Sequence, residues 1–325
     1  MSRASIVIVT PALAGANNGN WQTANRWARM LAGAYRVRLA SSWRRGGEDL
    51  MIALHARRSA AAVAAWSATG RGRPLLLVLT GTDLYRDIAQ DAKAQESLRL
   101  AHRLVVLNDL GSQALPAALR PRCRTVLQSC GARQALAKSP RRLRAIAVGH
   151  LREEKSPETL FEAARILRDR DDILLDHVGA ALDPALGRAA RALSREAPRY
   201  RWLGALPHGE ARRRIQAAHI LLHPSRMEGG AHVIIEAIRS GTPVLASDIE
   251  GNAGLLGGDY AGLFPVGDAA ALASRLLRAR DDPAMLPFLQ EQCAARAPRF
   301  EPEREREEVN ALVRELLGEA GLRGE

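Results

Sequence analysis

"ILLHPSRMEGGAHVIIEAIRSGTPVLAS", residues 220–247, reads as a buried strand, a loop, a helix and a second buried strand. The runs 220–225 and 243–247 are apolar without strict alternation, the pattern of strands covered on both faces of a parallel sheet. Glu228, Gly229 and Gly230 fill the loop, and a helix is predicted over 231–240, with His232 in its first turn. Two glycines ahead of a helix leave backbone N–H groups open to a phosphate or a sugar hydroxyl. Glu236 falls inside that helix among Val233, Ile234, Ile235 and Ile238. An acid there needs a partner, because burying a lone carboxylate is costly.

The same alternation runs through the chain. Strands are predicted at 4–10, 35–41, 50–56, 74–80 and 103–108, with helices at 22–34, 58–69 and 91–101 between them. A strand-poor segment with Pro140, 131–142, marks a linker. The pattern restarts with strands at 143–150, 173–179 and 199–204 and helices at 156–169, 184–196 and 208–218. The fold expected is therefore α/β, with two doubly wound, Rossmann-like domains of parallel strands. The domains predicted are 1–138 and 139–302, with the amphipathic helix in 303–325 packing back on the first. A cleft between two such domains is the default binding site.

Composition excludes several classes. The 325 residues carry a net charge of +12, and 47% are hydrophobic, the balance of a globular protein. No apolar run approaches the ~18 residues that a membrane span needs, and residues 1–10 read as a strand without a signal-peptide cleavage region. A cytoplasmic protein without integral membrane association is expected. Cys123, Cys130 and Cys293 show no CxxC spacing, which argues against a disulfide framework or cysteine zinc site. The arginines are scattered along helices, aromatics make up 4% of the chain, and no nucleic-acid motif is present, so a solvated basic surface is favoured over nucleic-acid binding.

The stretch 222–283, with Glu228 and Glu236 spaced as E-x7-E and followed by "GTPV", resembles the donor-binding half of the family-4 glycosyltransferases. "AVGHLREEKSPETLFEAARIL" (147–167) resembles the segment of that family bearing a basic pair for the donor diphosphate. The resemblance implies the GT-B architecture of two facing domains and a nucleotide-sugar as co-substrate, with no cofactor or metal. It implies that Glu236 binds the ribose, that Glu228 with Gly229, Gly230 and Ala231 holds the transferred sugar, and that Arg152 and Lys155 neutralise the diphosphate. His150 stands where the family usually has arginine, so either Arg152 takes over that role or His150 contributes a hydrogen bond. His232 is a further candidate for the donor phosphate. The DxD-like run "DRDD" (169–172) reads as a solvated turn rather than a metal site.

In the first half, "TPALAGANNGNWQTANRWARML" (10–31), "LTGTDLY" (79–85) and "LVVLND" (104–109) are similar to the selenosugar synthases of selenoneine biosynthesis (the SenB group), a divergent branch of the same family. That similarity implies transfer of the sugar of a UDP-sugar, UDP-N-acetylglucosamine foremost, to the selenium of selenophosphate. It also implies, as partners, pathway enzymes that supply selenophosphate and use the selenosugar. From the residues alone, the loop of Gly15, Asn17, Asn18, Gly19 and Asn20 either forms a nest of N–H donors for an anion or is a plain surface loop. Asn18, Gly19, Asn20, Thr80 and Thr82 are the acceptor-binding candidates. Asp83 either positions a substrate group, as a catalytic residue, or caps a helix. No His/Asp dyad is evident in this half, which suits an acceptor that is already anionic. A family-4 enzyme acting on a hydroxyl and a noncatalytic nucleotide-sugar binder remain the alternatives.

Overall fold

The computed structural model describes residues 3–13, 19–70 and 72–319. They fall into two compact units, one of residues up to Ser129 together with those from Pro302, the other Cys130–Glu301.

The first unit has β1 (Ser5–Val9), β2 (Arg36–Ala40), β3 (Leu50–Leu54), β4 (Leu75–Val78), β5 (Arg103–Val106) and β6 (Cys123–Thr125) in one parallel sheet of order β2-β1-β3-β4-β5-β6. Alternation along the strands divides its core. Ile6, Ile8 and Ile52 face one side with Trp27 and Leu31 of α1 (Gly19–Leu31), while Val7, Val9 and Met51 face the other with Val63 and Trp66 of α2 (Ala60–Ser67) and Leu98 of α3 (Ala92–Leu100). β6 escapes sequence reading because its three residues, Cys-Arg-Thr, carry no apolar run.

The second unit has β7 (Leu143–Val148), β8 (Ile173–Val178), β9 (Tyr200–Gly204), β10 (Ile220–His223), β11 (Val244–Ser247) and β12 (Leu263–Phe264) in the order β12-β11-β10-β7-β8-β9, again parallel. Its helices are α4 (Pro157–Ile166), α5 (Pro184–Glu196), α6 (His208–Ala217), α7 (His232–Ile238), α8 (Glu250–Leu256), α9 (Ala269–Asp281) and α10 (Met285–Arg296). The strand order reverses between β7 and β10 here and between β1 and β3 in the first unit. These are the positions at which ligands bind beyond the carboxyl ends of open α/β sheets.

The boundary at 129/130 lies ahead of the expected 138/139. Residues 130–138 are tied into the second unit: Arg133 N donates to Arg239 O at 2.8 Å, Gln216 Nε2 to Gln134 O at 2.8 Å, and Lys138 Nζ to Gln216 O. "DRDD" ends in a turn with Asp169 and Asp171 exposed, as expected, but Asp172 is half-buried. It pairs with Arg170 at 2.9 Å and Arg280 at 2.5 Å, while Arg170 also binds Asp281 at 2.6 Å. The sequence could not show this, because Arg280 and Asp281 lie more than 100 residues away at the end of α9. Among the described residues no helix is long and apolar enough to cross a membrane.

α11 (Pro302–Glu319) returns to the first unit and packs on α1. Its anchor is Glu305, 2% exposed, which accepts hydrogen bonds from Arg26 Nε at 2.8 Å, Trp27 Nε1 at 2.8 Å, Ser129 N at 2.8 Å and Ser129 Oγ at 2.5 Å. Removing one partner of such a buried pair leaves Arg26 without its counter-charge. Glu305→Ala is therefore expected to cost about 3 kcal/mol or more, read as a lowered midpoint of denaturant unfolding. A loss below about 1 kcal/mol would show that apolar packing alone holds α11.

Candidate active site

The site is built at the reversal point between β7 and β10. After β10 the chain runs through Pro224 and Ser225 into the loop of Glu228, and after β7 it runs through Gly149 into a short turn, Glu153–Lys155. The two segments are stitched together, since Arg226 N donates to Glu154 O at 2.9 Å and Arg226 Nε to Ser156 Oγ at 3.2 Å. Ser156 adopts a left-handed conformation, φ 46°, which turns the chain into α4.

This stitching brings Lys155 Nζ to 2.5 Å from Glu228 Oε1. The same oxygen lies 3.1 Å from Nε2 of His223, a buried residue. Burial would raise the Glu228 pKa, but the Lys155 charge and the His223 hydrogen bond outweigh it and hold the carboxyl well below its usual range. His223 is pushed down by its own burial, against the pull of Glu228. The Lys155 stem runs past Gly149, where a Cβ would make ordinary contact with Lys155 Cδ at 3.4 Å.

Gly251 in α8, which sequence reading missed, permits the approach of the Glu228 loop. A Cβ at this position would sit 1.9 Å from the Glu228 carbonyl oxygen. Gly179 plays the matching part behind Gly149, where a Cβ would come within 1.9 Å of Gly149 O. Only a three-dimensional contact marks either glycine as required.

Glu236 has the partner that its apolar helix demands. His208 Nε2, at the start of α6, lies 2.5 Å from Oε1, and His232 Nδ1, one turn before Glu236 on α7, lies 3.5 Å from the same atom. Burial raises the Glu236 pKa, yet the two imidazole hydrogen bonds prevail and bring it to about 2. The hydrogen bond to Glu236 raises His208, against burial and the charges of Arg212 and Arg133.

His150 is oriented rather than mobile, because its Nδ1 accepts Ala180 N–H at 3.1 Å. Burial, with the charges of Arg152 and Lys155, lowers its pKa and keeps the ring neutral. The proton then sits on Nε2 as a donor. Arg152 is half-exposed and 3.8 Å from Glu154. Gly229 and Ala231 are buried and Gly230 half-buried. Lys155, Glu228, Glu236, His232, His150 and Arg152 thus all belong to the second unit, on the loops and helix starts beyond its strands, Glu236 one turn into α7. Among the described residues no group of three or more His, Cys, Asp and Glu side chains has the arrangement to hold a metal.

In the first unit, Gly19 and Asn20 are the opening residues of α1, three residues earlier than the helix predicted from 22, and not part of a loop. Gly15, Asn17 and Asn18 lie outside the described residues. Asp83 is fully buried and caps no helix. Its Oδ2 accepts Ala56 N–H at 2.9 Å and its Oδ1 accepts Thr80 N–H at 2.8 Å and Thr80 Oγ at 3.2 Å. These bonds brace the ends of β3 and β4, so Asp83 supports neighbouring groups instead of meeting a substrate. Thr80 and Thr82 remain half-buried at the same edge. His55 is the histidine nearest to acids in this half, its Nδ1 3.9 Å from Asp83 Oδ2 and its Nε2 3.9 Å from Asp87 Oδ2, both beyond hydrogen-bond distance. In sequence these residues sit about 30 apart, with no motif to link them.

Residues 132–299, just over half of the chain, match the family described as Glycosyl transferases group 1. The chain belongs to that family. A comparison with curated proteins gives no match. Among solved structures, sucrose-phosphate synthase from Thermosynechococcus elongatus is 18% identical over 97% of this chain and 100% of its own, with a TM-score of 0.79. HepE of Anabaena, in complex with UDP-glucose, is 14% identical over 95% of this chain and 99% of its own, TM-score 0.76. The pneumococcal O-GlcNAc transferase GtfA, in complex with UDP and GlcNAc, is 17% identical over 82% of this chain and 57% of its own, TM-score 0.66. At these identities the likeness is one of fold: two Rossmann-like units in the GT-B class, as expected. Family and fold together make the chain a glycosyltransferase.

The His208–Glu236 pair ties stability to pH. Glu236 must be ionised, above its ordinary 4.5, and His208 protonated. Because His208 is raised in the folded state, its contribution is complete below 6.5 and fades as pH rises through the raised value. The stability gap between the native protein and His208→Ala is expected to be widest between these two values and to close above them, read by denaturant titration across pH. A gap independent of pH would mean that the contact carries no ion-pair character.

Proposed function

We propose that this chain transfers the sugar of a UDP-sugar, UDP-N-acetylglucosamine foremost, to the selenium of selenophosphate, with release of UDP and phosphate. The observation that carries the donor half is the Lys155–Glu228 contact across the β7/β10 reversal, with Glu236 held by two histidines in the helix that follows the Glu228 loop. In this reading Glu236 receives the ribose hydroxyls, and Glu228 with the Gly229–Ala231 backbone holds the transferred sugar. The UDP and UDP-sugar complexes of HepE and GtfA support a nucleotide-sugar as the co-substrate.

Breaking the sugar C1–O bond builds charge on the departing diphosphate, and preorganised cations and donors lower the barrier by meeting it. Lys155 supplies the ammonium, shared with Glu228, Arg152 a guanidinium, and His150 a neutral Nε2–H. The C1–Se bond forms as UDP leaves, and water then breaks the Se–P bond of the adduct to give phosphate. Selenophosphate is supported by the similarity of 10–31, 79–85 and 104–109 to selenosugar synthases. Its selenium is anionic and soft, so no strong base is needed. Gly19, Asn20, Thr80 and Thr82 form the acceptor side in this reading, with Asp83 behind them as a brace.

Purified protein with UDP-N-acetylglucosamine under anaerobic, reducing conditions is expected to release UDP only when selenophosphate is present, with a selenium-bearing sugar in the mass spectrum. Glu236→Ala should lower kcat/KM about 100-fold, as loss of charged hydrogen bonds to the ribose requires. UDP release that ignores selenophosphate would sink the acceptor assignment and favour a hydroxyl acceptor; binding without UDP release would favour a noncatalytic binder. Gly251→Ala should weaken UDP-N-acetylglucosamine binding about tenfold by displacing the Glu228 loop that holds the sugar. Unchanged affinity in calorimetry would show that the loop position is immaterial to the nucleotide-sugar.

A further inference from the structure

Glu236 carries a partner that neither the E-x7-E motif nor the proposed chemistry calls for. After β9 the backbone turns at Gly204, φ 68°, and Pro207, with φ −55° and ψ 142°, leads into α6, whose first residue is His208. This short connection carries the imidazole to α7, where its Nε2 lies 2.5 Å from Glu236 Oε1. The two side chains differ in their access to water: that of Glu236 is 6% exposed and that of His208 55%.

Both imidazole contacts fall on one carboxylate oxygen. His232 Nδ1, one turn earlier on α7, lies 3.5 Å from Oε1 as well, and among the described residues Oε2 makes no hydrogen bond. Oε2 still reaches solvent, since the fully buried polar atoms without a partner lie elsewhere. The terminal torsion of a glutamate is broad and roughly two-fold, so α7 by itself does not decide which way the carboxylate plane lies. The contact from a separate helix does, by engaging Oε1 and leaving Oε2 to accept hydroxyls.

His208 keeps its proton against several opposing influences. A cation in the first turn of a helix opposes the helix dipole. The hydrogen bond to Glu236 nonetheless raises the pKa of His208, against partial burial and the charges of Arg212 on α6 and Arg133 ahead of β7. A charge-assisted hydrogen bond is roughly twice as strong as a neutral one. Loss of the proton therefore weakens the hold on Glu236, while a neutral ring still donates through Nε2–H.

We propose that protonated His208 is a positioning residue that fixes the Glu236 carboxylate with Oε2 open to the ribose hydroxyls, and that nucleotide-sugar binding weakens as this imidazole loses its proton. This rests on the donor half of the proposed function and adds the group that orients its ribose acceptor. The sign follows from linkage: the protonated form binds more tightly, so the added affinity is complete below 6.5 and is lost as pH rises through the raised value.

The test is calorimetric titration of the full-length protein with UDP-N-acetylglucosamine between about pH 6 and 9, a range in which its diphosphate diester does not titrate. Native affinity is expected to fall about fivefold across this range. His208→Gln, which keeps a neutral N–H donor near the position of Nε2, should lose most of this pH dependence and stay within about threefold of the native protein at pH 9. His208→Leu, which has no donor, should bind about fivefold more weakly than His208→Gln at every pH. A native affinity that ignores pH, a pH dependence that survives intact in His208→Gln, or equal binding by the Gln and Leu variants overturns the positioning role while leaving the donor reading in place. Absence of binding by the native protein at any pH overturns the donor reading, and this inference with it.

Discussion

The contact between Lys155 and Glu228 is the one on which the second unit's site depends, because neither charge tolerates removal from water without the other. Lys155 arrives from the β7 side and Glu228 from the β10 side, so the pair also fixes the distance between two loops that no strand pairing controls beyond the sheet edge. His223 closes the arrangement from beneath, with Ser225 Oγ at 3.2 Å from its Nε2 and Ser247 Oγ donating to Ser225 O. The strand ends thus pass their order on to the loop through hydrogen bonds, side chain by side chain.

The same constraint recurs at each buried acid. Glu236 is held by two histidines, Glu305 by Arg26, Trp27 and Ser129, and Asp83 by two backbone N–H groups and a hydroxyl. Each acid joins elements remote in sequence: α6 to α7, α1 to α11, β3 to β4. Packing an apolar core sets which faces meet, but it tolerates small displacements. A buried carboxylate does not, since every unmade bond leaves its desolvation uncompensated. That difference explains why these acids sit at strand ends and helix junctions, where atoms must be placed closely.

Much of this was legible in the sequence because it depends on local pattern. Unbroken apolar runs such as 75–79 and 220–222 mark strands buried on both faces, and the setting of Glu236 among isoleucines announces a partnered acid. What could not be read depends on contacts across the fold. Asp83 looks like a helix cap from "GTDLY", and only the position of Ala56 N shows that it is a brace. Gly251 looks like any glycine in "IEGNAGLL" until the Glu228 carbonyl is placed 1.9 Å from where its Cβ would be. Asp172 looks solvated until Arg280 arrives from α9.

The histidines show how burial sorts one residue type into different tasks. His150 and His55 are both pushed toward the neutral form, and in each a backbone N–H occupies Nδ1, so the remaining proton is committed to Nε2. Each is left with Nε2 as its donor, and that of His55 lies 3.1 Å from Thr82 Oγ1. His208 is exposed and faces a carboxylate, so its proton affinity rises and it acts as a cation. A neutral donor suits a place where charge is already supplied by neighbouring arginine or lysine, since another cation would add repulsion there. A protonated histidine suits Glu236, whose burial must be offset by positive charge. The division follows from solvent access and from which ring nitrogen the backbone takes first.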